Sequence, residues 1–253
     1  MAERTRVPLI VFFTDFGSDG PYVGQMRLAV GRIAPMTAVV NLLHDAPRFD
    51  PKASAYLLAA LTPRLPPTCA CVGVVDPGVG GVRAGVIVEA DGRFFVGPGN
   101  GLFEIVRRRA GISAARVWIL PEDSMASASF HGRDIFAPIA ARLTLGAEPA
   151  ELAAREASSE ELPGADWPDD LPEIIYLDHY GNAMTGIRGA QVAPDATLRV
   201  AGVTCRPART FSDVPKGEAF WYENSIGLAE IAVNGGSALD ALSLAVGSPI
   251  EVA

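Results

Sequence analysis

Two apolar runs in the first third of the chain end abruptly in loops that begin with an aspartate. Residues 7–13 lead to Asp15 and a polar turn, whereas residues 69–75 lead to Asp76 and a loop with one proline and three glycines. Such a loop continues neither a strand nor a helix. Each aspartate is therefore predicted just past the carboxyl end of a strand. The first turn is followed by a predicted helix whose apolar face carries Val23, Met26, Val30 and Ile33.

A hairpin signal follows the second loop. Residues 85–90 and 93–97 are apolar runs that flank Asp91-Gly92, a strong signal for a two-residue hairpin turn. The hairpin adds an antiparallel pair, so the sheet is predicted to be mixed. Helical patterns continue over residues 102–109 and 134–145. Residues 1–155 are thus predicted to form a layered N-terminal α/β domain.

The composition changes after the second helical pattern. Residues 156–172 are rich in Ser, Glu, Asp and Pro, which is typical of a surface linker. Residues 173–253 are predicted to form a smaller C-terminal β domain, because short apolar runs alternate with Gly, Pro and Asn. The predicted strands are 173–178, 197–205, 219–223, 228–233 and 250–252.

The charge balance argues against a nucleic-acid partner. The 253 residues include 21 Lys and Arg against 29 Asp and Glu, a net charge of −8, and no long basic stripe is present to neutralise a row of phosphates. The basic cluster at residues 107–109 ends a helical pattern, where we expect it to complement the carboxyl end of the helix dipole.

Cysteine content and hydropathy indicate the compartment of the protein and argue against a metal site and a membrane span. Three cysteines and the absence of a long apolar leader predict a cytoplasmic protein without a disulfide framework. Cys69 and Cys71 alternate within an apolar run without a second Cys or His pair at zinc spacing, so we expect buried thiols and no metal site. No apolar stretch is long enough for a membrane span, which argues against a membrane partner.

Three loops carry the candidate chemical groups. Since ligands bind beyond the carboxyl ends of strands in open α/β sheets, Asp15 and Asp76 are predicted to line one crevice, although each is also an ordinary turn-forming residue. The glycine-rich loop allows Arg83 to fold back onto Asp76 and hold its carboxylate ionised. His131 precedes a helical pattern, where it is either a cleft residue or a structural one.

Five motifs, in order along nearly the whole chain, carry a resemblance to a known family. The chain resembles the S-adenosyl-L-methionine hydroxide adenosyltransferases, the adenosylmethionine hydrolases related to the fluorinase and chlorinase. The motifs are Thr14-Asp15-Phe16-Gly17 with Tyr22-Val23-Gly24, Val75-Asp76-Pro77-Gly78-Val79-Gly80 with Arg83, Phe130-His131-Gly132-Arg133-Asp134-Ile135-Phe136-Ala137-Pro138, Asp178-His179-Tyr180-Gly181-Asn182, and Asn224-Ser225-Ile226-Gly227.

The resemblance implies that water or hydroxide attacks C5′ of the ribose and releases adenosine and L-methionine. It assigns positioning and activation of the water to Asp76, Arg83 and His131. A base held beside an in-line carbon supplies both activation and orientation. It implies no cofactor, and it implies that S-adenosylmethionine is the substrate. The sulfonium is already a good leaving group, so we expect no metal requirement.

The resemblance also implies substrate contacts. Asp15 corresponds to the residue that binds the ribose hydroxyls, and Asp178 to the one that binds the methionine ammonium. Asn182 and Phe211 correspond to adenine contacts, and Ser225 to a residue near the methionine carboxylate. Phe211 and Ser225 are equally interpretable as a core residue and a turn residue.

Two loops depart from the family pattern. Gly81-Val82 and Ala84 replace more polar flanks around Arg83, and residues 98–101 also vary. These departures put the loop conformation in question, but each proposed catalytic group is present.

Two alternatives stay open: a halide-dependent halogenase, which lacks the Arg and His partners and carries an extra loop, and a non-catalytic nucleoside-binding or adenosylmethionine-binding regulator. The resemblance further implies a cyclic homotrimer with sites at the subunit interfaces.

Overall fold

Both aspartate loops emerge from neighbouring parallel strands of one sheet. The computed structural model describes residues 9–111, 114–152, 154–158 and 161–253. The chain divides into two units, Met1–Ala165 and Asp166–Ala253. In the described part of the first unit the strands are β1 (Leu9–Thr14), β2 (Ala38–Leu43), β3 (Cys69–Val74), β4 (Gly85–Ala90), β5 (Arg93–Pro98), β6 (Arg116–Ile119) and β7 (Arg155–Ala157). Its α-helices are α1 (Tyr22–Ile33), α2 (Pro51–Leu61), α3 (Glu104–Arg109) and α4 (Ala137–Thr144).

The N-terminal sheet is mixed, as the sequence predicts. Its order is β2-β1-β3-β5-β4-β6-β7. β1 runs parallel to β2 and β3, and β3 runs parallel to β5. The remaining pairs are antiparallel. Thr14 and Val74 are paired across β1 and β3, so the chains that carry Asp15 and Asp76 leave the sheet at the same edge.

The predicted hairpin and first helix are confirmed. β4 and β5 pair antiparallel across Asp91 and Gly92, whose φ angles of 50° and 73° suit a tight hairpin turn. The apolar face of α1 buries Val23, Met26 and Val30. Helix α4 packs against α1 and against β1, β3 and β5. The first strand begins at Leu9 among the described residues, and residues 7 and 8 of the prediction lie outside them.

The basic cluster at residues 107–109 makes a more specific contact than a dipole interaction. Arg107 Nε and Nη2 donate to the carboxylate of Glu104 at 2.8–3.0 Å, and Arg108 Nη2 donates to Glu104 Oε1 at 3.0 Å. Glu104 and Arg107 are buried. Two of the three arginines therefore neutralise an acidic side chain of their own helix.

The second unit is built on a separate, mainly antiparallel sheet. Its described strands are β8 (Leu171–Leu177), β9 (Ala183–Arg188), β10 (Leu198–Val200), β11 (Val203–Pro207), β12 (Ala219–Glu223), β13 (Leu228–Val233) and β14 (Glu251–Val252), with helix α5 (Ala238–Leu242). The strand order is β14-β10-β11-β12-β13-β9-β8, in which only β11 and β12 are parallel among the described pairs. The predicted fold class, an α/β domain followed by a smaller β domain, is confirmed.

Some strand boundaries in the prediction are wrong. Residues 197–205 do not form one strand, because Ala201 and Gly202 adopt φ angles of 49° and 79° and turn the chain between β10 and β11. β7 and β8 also extend into the range 156–172 from either side. None of the helices in the described ranges is long and apolar enough to cross a bilayer.

Candidate active site

Asp15 is held at the end of β1 by the segment that follows β2. Its Oδ2 accepts the backbone N–H of Phe49 at 3.1 Å. The preceding residue, Thr14, is fully buried and its Oγ1 lies 2.8 Å from Nδ1 of His44. Burial raises the pKa of the Asp15 carboxyl, and the nearby charge of Asp76 acts in the same direction. Asp15 therefore belongs to an organised loop beside a second carboxylate.

Asp76 and Arg83 form a closed ion pair across the glycine-rich loop. Arg83 Nε donates to both carboxylate oxygens of Asp76 at 2.9 Å, and Nη2 also donates to Oδ2. The side chains retain 4% exposure for Asp76 and 11% for Arg83, so water screens the pair little. Val82, one of the departures from the family pattern, is fully exposed.

His131 joins this pair through Nη2 of Arg83, the same nitrogen that donates to Asp76 Oδ2. Arg83 Nη2 lies 2.8 Å from Nδ1 of His131. Because arginine has no acceptor, Nδ1 must accept this bond, and the proton of the neutral imidazole lies on Nε2. Burial lowers the pKa of His131, and the positive charge of Arg83 lowers it further. The structure thus brings together all three residues to which the family resemblance assigns water activation.

Three neighbouring contacts shape the loop that carries Asp76 and Arg83. The backbone N–H of Gly81 donates to the carbonyl of Gly78 at 3.0 Å. Gly80 lies close to the segment before His131, since a Cβ on Gly80 would lie 2.5 Å from the carbonyl oxygen of Ala128. Asn100 Nδ2 donates to the carbonyl of Val75 at 2.9 Å, directly before Asp76. The loop at residues 98–101, the second one that differs from the family pattern, is therefore hydrogen-bonded to the start of the Asp76 loop.

A cavity of about 370 Å³ opens beside this cluster within the N-terminal unit. Its wall includes Asp15, Asp76 and His131, together with Phe49 and the aromatic group described next. Phe49 is 75% exposed and adopts φ 58°, a conformation uncommon for a bulky residue. The cavity combines two carboxylates and an imidazole with an apolar lining.

Three aromatic rings in this wall contact one another. The ring centroids of Phe16, Tyr22 and Phe130 lie 5.4–5.8 Å apart in tilted or edge-to-face arrangements. Such pairs stabilise each other beyond their simple burial. Phe16 and Tyr22 belong to one motif, but Phe130 lies more than 100 residues further along the chain, so no local pattern predicts that the three rings meet.

In the C-terminal unit, Asp178 and Asn182 close a turn between β8 and β9. Asp178 Oδ1 accepts the backbone N–H groups of Tyr180 and Asn182, both at 2.8 Å, and Oδ2 accepts Asn182 Nδ2 at 3.0 Å. Gly181 adopts φ 80°, and a Cβ there would lie 2.2 Å from Ser237 Oγ. The turn is therefore tightly determined, and Oδ2, which accepts one bond where Oδ1 accepts two, keeps spare acceptor capacity.

Phe211 and Ser225 are placed in the same unit by different elements. Phe211 packs edge-on against Phe220 and Tyr222, with ring centroids 5.1 and 5.5 Å away. Ser225 is exposed in the turn between β12 and β13. Sequence analysis missed Glu230, a buried acid that contacts Tyr222 beside this group; a single acidic residue within the apolar run 228–233 was its only signal.

The order of the two units along the chain matches a pair of family models. The model described as SAM hydroxide adenosyltransferase N-terminal domain matches residues 10–153, and the one described as SAM hydroxide adenosyltransferase C-terminal domain matches residues 172–251. The chain belongs to the SAM hydroxide adenosyltransferase family. The family resemblance predicted from the five motifs is confirmed.

Named relatives of this family match almost end to end. A Thermus thermophilus protein named (R)-S-adenosyl-L-methionine hydrolase is 38% identical, over 96% of this chain and 98% of its own. Proteins with the same name from Salinispora arenicola and Salinispora tropica are 36% and 35% identical, each over 97% of both chains.

Two solved structures share the fold over almost their whole length. An uncharacterized conserved protein from Thermotoga maritima has a TM-score of 0.85 at 29% identity, covering 96% of this chain and 99% of its own. A conserved hypothetical protein from Thermus thermophilus has a TM-score of 0.78 at 34% identity with the same coverage.

Across the part of the chain that the structure describes, no group of three or more His, Cys, Asp or Glu residues is arranged to hold a metal ion.

Proposed function

We propose that this chain hydrolyses S-adenosyl-L-methionine to adenosine and L-methionine. A water oxygen forms a bond to ribose C5′, the C5′–S bond breaks with its electron pair moving to sulfur, and one proton of the water is released. Membership of the family and the full-length similarity to three proteins named (R)-S-adenosyl-L-methionine hydrolase support an enzyme with this activity.

The observation that carries the proposal is the contact chain from Asp76 through Arg83 to His131. Since Nδ1 of His131 accepts from Arg83, its Nε2–H is left as a donor that orients the attacking water. We assign acceptance of the water proton to Asp76, which has acceptor capacity beyond its bonds to Arg83. Arg83 positions both partners.

The leaving group explains why a metal ion is not part of this proposal. The sulfonium carries a positive charge before the reaction and leaves as a neutral thioether. No negative charge develops on the departing sulfur that a metal ion would need to stabilise. The enzyme's main tasks are therefore to orient the water in line with C5′ and to accept its proton.

The substrate contacts follow the family assignment. Asp15 shares the cavity wall with Asp76 and His131, which supports binding of the ribose hydroxyls next to the attacking water. Asp178 binds the methionine ammonium, and Asn182 and Phe211 contact adenine. Ser225 binds near the methionine carboxylate.

A cyclic homotrimer completes the proposal. The water-activating residues belong to the unit Met1–Ala165, and the methionine and adenine contacts belong to Asp166–Ala253. We assign each active site to the N-terminal unit of one subunit and the C-terminal unit of its neighbour. We also place the enzyme in the cytoplasm, because Cys69, Cys71 and Cys205 are all buried free thiols.

Product analysis separates this function from its alternatives. Purified protein incubated with S-adenosylmethionine in halide-free buffer with EDTA should release adenosine and methionine in equal amounts, measured by liquid chromatography. A strict need for halide, with a 5′-halogenated nucleoside as product, would make the protein a halogenase. Tight binding without any product would make it a regulator, and a strict need for a divalent ion would contradict the metal-independent step.

A further inference from the structure

Glu230 is a buried acid in the middle of a strand. All six residues of β13 are buried, and Glu230 itself is 2% exposed. A carboxylate in such a position is costly unless hydrogen bonds satisfy it. Its hydrogen-bond partners must therefore offset this cost.

Each oxygen of Glu230 has one donor. The hydroxyl of Tyr222, the cross-strand neighbour on β12, lies 2.5 Å from Oε1, and Nδ2 of Asn224 lies 2.6 Å from Oε2. Burial raises the pKa of Glu230. The two hydrogen bonds lower this pKa, and the nearby charge of Asp178 raises it. Burial also raises the pKa of Tyr222, so its hydroxyl keeps its proton and donates it to Glu230.

The bond to Glu230 decides how the Asn224 side chain is oriented. An asparagine amide has a donor end and an acceptor end. With Nδ2 directed at Glu230, Oδ1 accepts the backbone N–H groups of Ile226 and Leu228, both at 3.0 Å. These bonds span the turn that carries Ser225. Glu230 therefore fixes the orientation of the amide that bonds across this turn.

A second connection runs through Tyr222. Its ring lies 5.5 Å from the ring of Phe211 in an edge-to-face contact, while its hydroxyl is held by Glu230. The same carboxylate thus restrains a ring that supports Phe211 and an amide that shapes the Ser225 turn. Phe211 and Ser225 are the two C-terminal residues for which sequence alone allowed a purely structural interpretation.

We propose that Glu230 is a positioning residue that, through Asn224 and Tyr222, holds the Ser225 turn and Phe211 in the geometry that binds S-adenosylmethionine. The proposal rests on the proposed function, since it assumes that these two residues face substrate. It assigns no chemical step to Glu230. The consequence of its loss is weaker substrate binding, and the chemistry that follows binding is less affected.

Two substitutions at this site separate positioning from charge. In Glu230→Gln the side-chain oxygen can still accept from Asn224, and the amide can donate to Tyr222, whose hydroxyl accepts as well as donates. We expect its KM to stay within about threefold of the parent chain. Glu230→Leu has similar size but pairs with neither group, and we expect KM to rise about tenfold or more with a much smaller change in kcat.

A variant on the other side of the contact covers the case in which Glu230→Leu does not fold. Asn224→Ala removes the turn bonds from a partly exposed position and should raise KM in the same way. Amide hydrogen exchange at Ile226 and Leu228 should be faster in both Glu230→Leu and Asn224→Ala, a readout independent of turnover. Glu223→Leu, on the same hairpin but exposed, is the matched control and should leave KM and exchange unchanged.

The outcomes are distinct. An unchanged KM in folded Glu230→Leu or in Asn224→Ala would overturn the proposal. A KM for Glu230→Gln as high as that for Glu230→Leu would also overturn it, because the negative charge itself would then be what binding requires. If the parent chain releases no adenosine, the proposed function fails, and that failure is seen before any variant is compared.

Discussion

Arg83 is the residue on which the proposed chemistry most depends, because it contacts both other members of the cluster. Its Nε and Nη2 bind Asp76, and Nη2 also faces Nδ1 of His131. A guanidinium presents several donors in one plane, so a single side chain can determine the positions of a carboxylate and an imidazole. Lysine at this position would offer a single cationic centre in place of the planar fork.

The first prediction concerns Asp76→Asn. The amide keeps the size of the side chain but replaces one acceptor oxygen with a donor that faces Arg83, and it cannot accept the proton of the water. We expect kcat to fall by about 10²–10⁴-fold, the usual contribution of a general base. Calorimetry with adenosine should show binding close to that of the parent chain. Full turnover in this variant would exclude Asp76 as the proton acceptor.

The second prediction concerns the pH dependence set by His131. Burial and Arg83 lower the pKa of this imidazole in the folded chain, so the folded protein binds the proton less tightly than the unfolded chain does. The stability contribution of neutral His131 is therefore present at higher pH and is lost as the pH falls below about 6.5.

Protonation also removes the acceptor that Arg83 requires, so an acid limb of kcat caused by His131 should lie below pH 6.5. NMR titration of the imidazole, assigned by comparison with His131→Gln, gives its midpoint directly. A midpoint above 6.5 would contradict the neutral form on which the proposed water orientation depends.

At the scale of elements, the loop between β3 and β4 brings Arg83 back to Asp76 and so forms the candidate site. β1 and β3 deliver Asp15 and Asp76 to one edge of the sheet, but the return of Arg83 depends on how this loop folds. Gly80 adopts φ 78° and lies so close to Ala128 that no Cβ fits. The loop is thereby packed against the segment that leads to His131.

The third prediction is that Gly80→Ala impairs catalysis through this packing. The new Cβ would lie 2.5 Å from the carbonyl oxygen of Ala128, so the loop must shift and move Arg83 away from its partners. Since displacements of about 1 Å in a catalytic group cost up to about 10²-fold, we expect kcat/KM to fall by about 10–100-fold.

Gly146→Ala is the matched control for Gly80→Ala. Gly146 adopts φ 91°, but nothing lies within 4 Å of an added Cβ, so the backbone strain is similar while the steric clash is absent. Kinetics and thermal unfolding of both variants separate the two effects. Equal losses of activity in both would show that strain, and not the packing of the Asp76 loop, is responsible.

At the scale of the whole molecule, the two units carry complementary parts of the proposed site. The base cluster and Asp15 belong to the first unit, whereas the turns with Asp178 and Ser225 belong to the second. In a closed ring of identical subunits, every head-to-tail interface joins one copy of each unit. The proposed trimer therefore predicts complementation between subunits.

The fourth prediction tests that complementation. Asp76→Ala and Asn182→Ala variants, each nearly inactive alone, are co-expressed with different tags and the mixed oligomers are purified. With random mixing, an interface has an intact N-terminal unit in half of the cases and an intact C-terminal unit in half, so roughly a quarter of the sites are complete. We expect about that fraction of parental activity. No recovery in demonstrably mixed oligomers would place each site within one chain.

Local sequence patterns predicted several of the strands, helices and turns, but not all of them. The apolar runs that end at Asp15 and Asp76 and the Asp91-Gly92 hairpin are correct because alternation, glycine and proline act over a few residues. β2, β6, β7, β9 and helix α2 were not predicted. β2 is largely exposed or half-buried, and the apolar pattern of β9 is interrupted by Thr185 and Gly186, although both are buried. Ala201 was read as part of a strand because an alanine gives no sign of its positive φ.

The sequence by itself determined the family, the α/β and β character of the two parts, and the identity of the candidate groups, because ordered motifs and short-range periodicity are written directly in it. Only the tertiary structure decided that Arg83 bridges Asp76 and His131, that Phe16, Tyr22 and Phe130 share one wall, and that Glu230 accepts a hydrogen bond from Asn224 beside the Ser225 turn. These contacts join residues on different loops and strands, and their geometry depends on side-chain packing that no local pattern encodes.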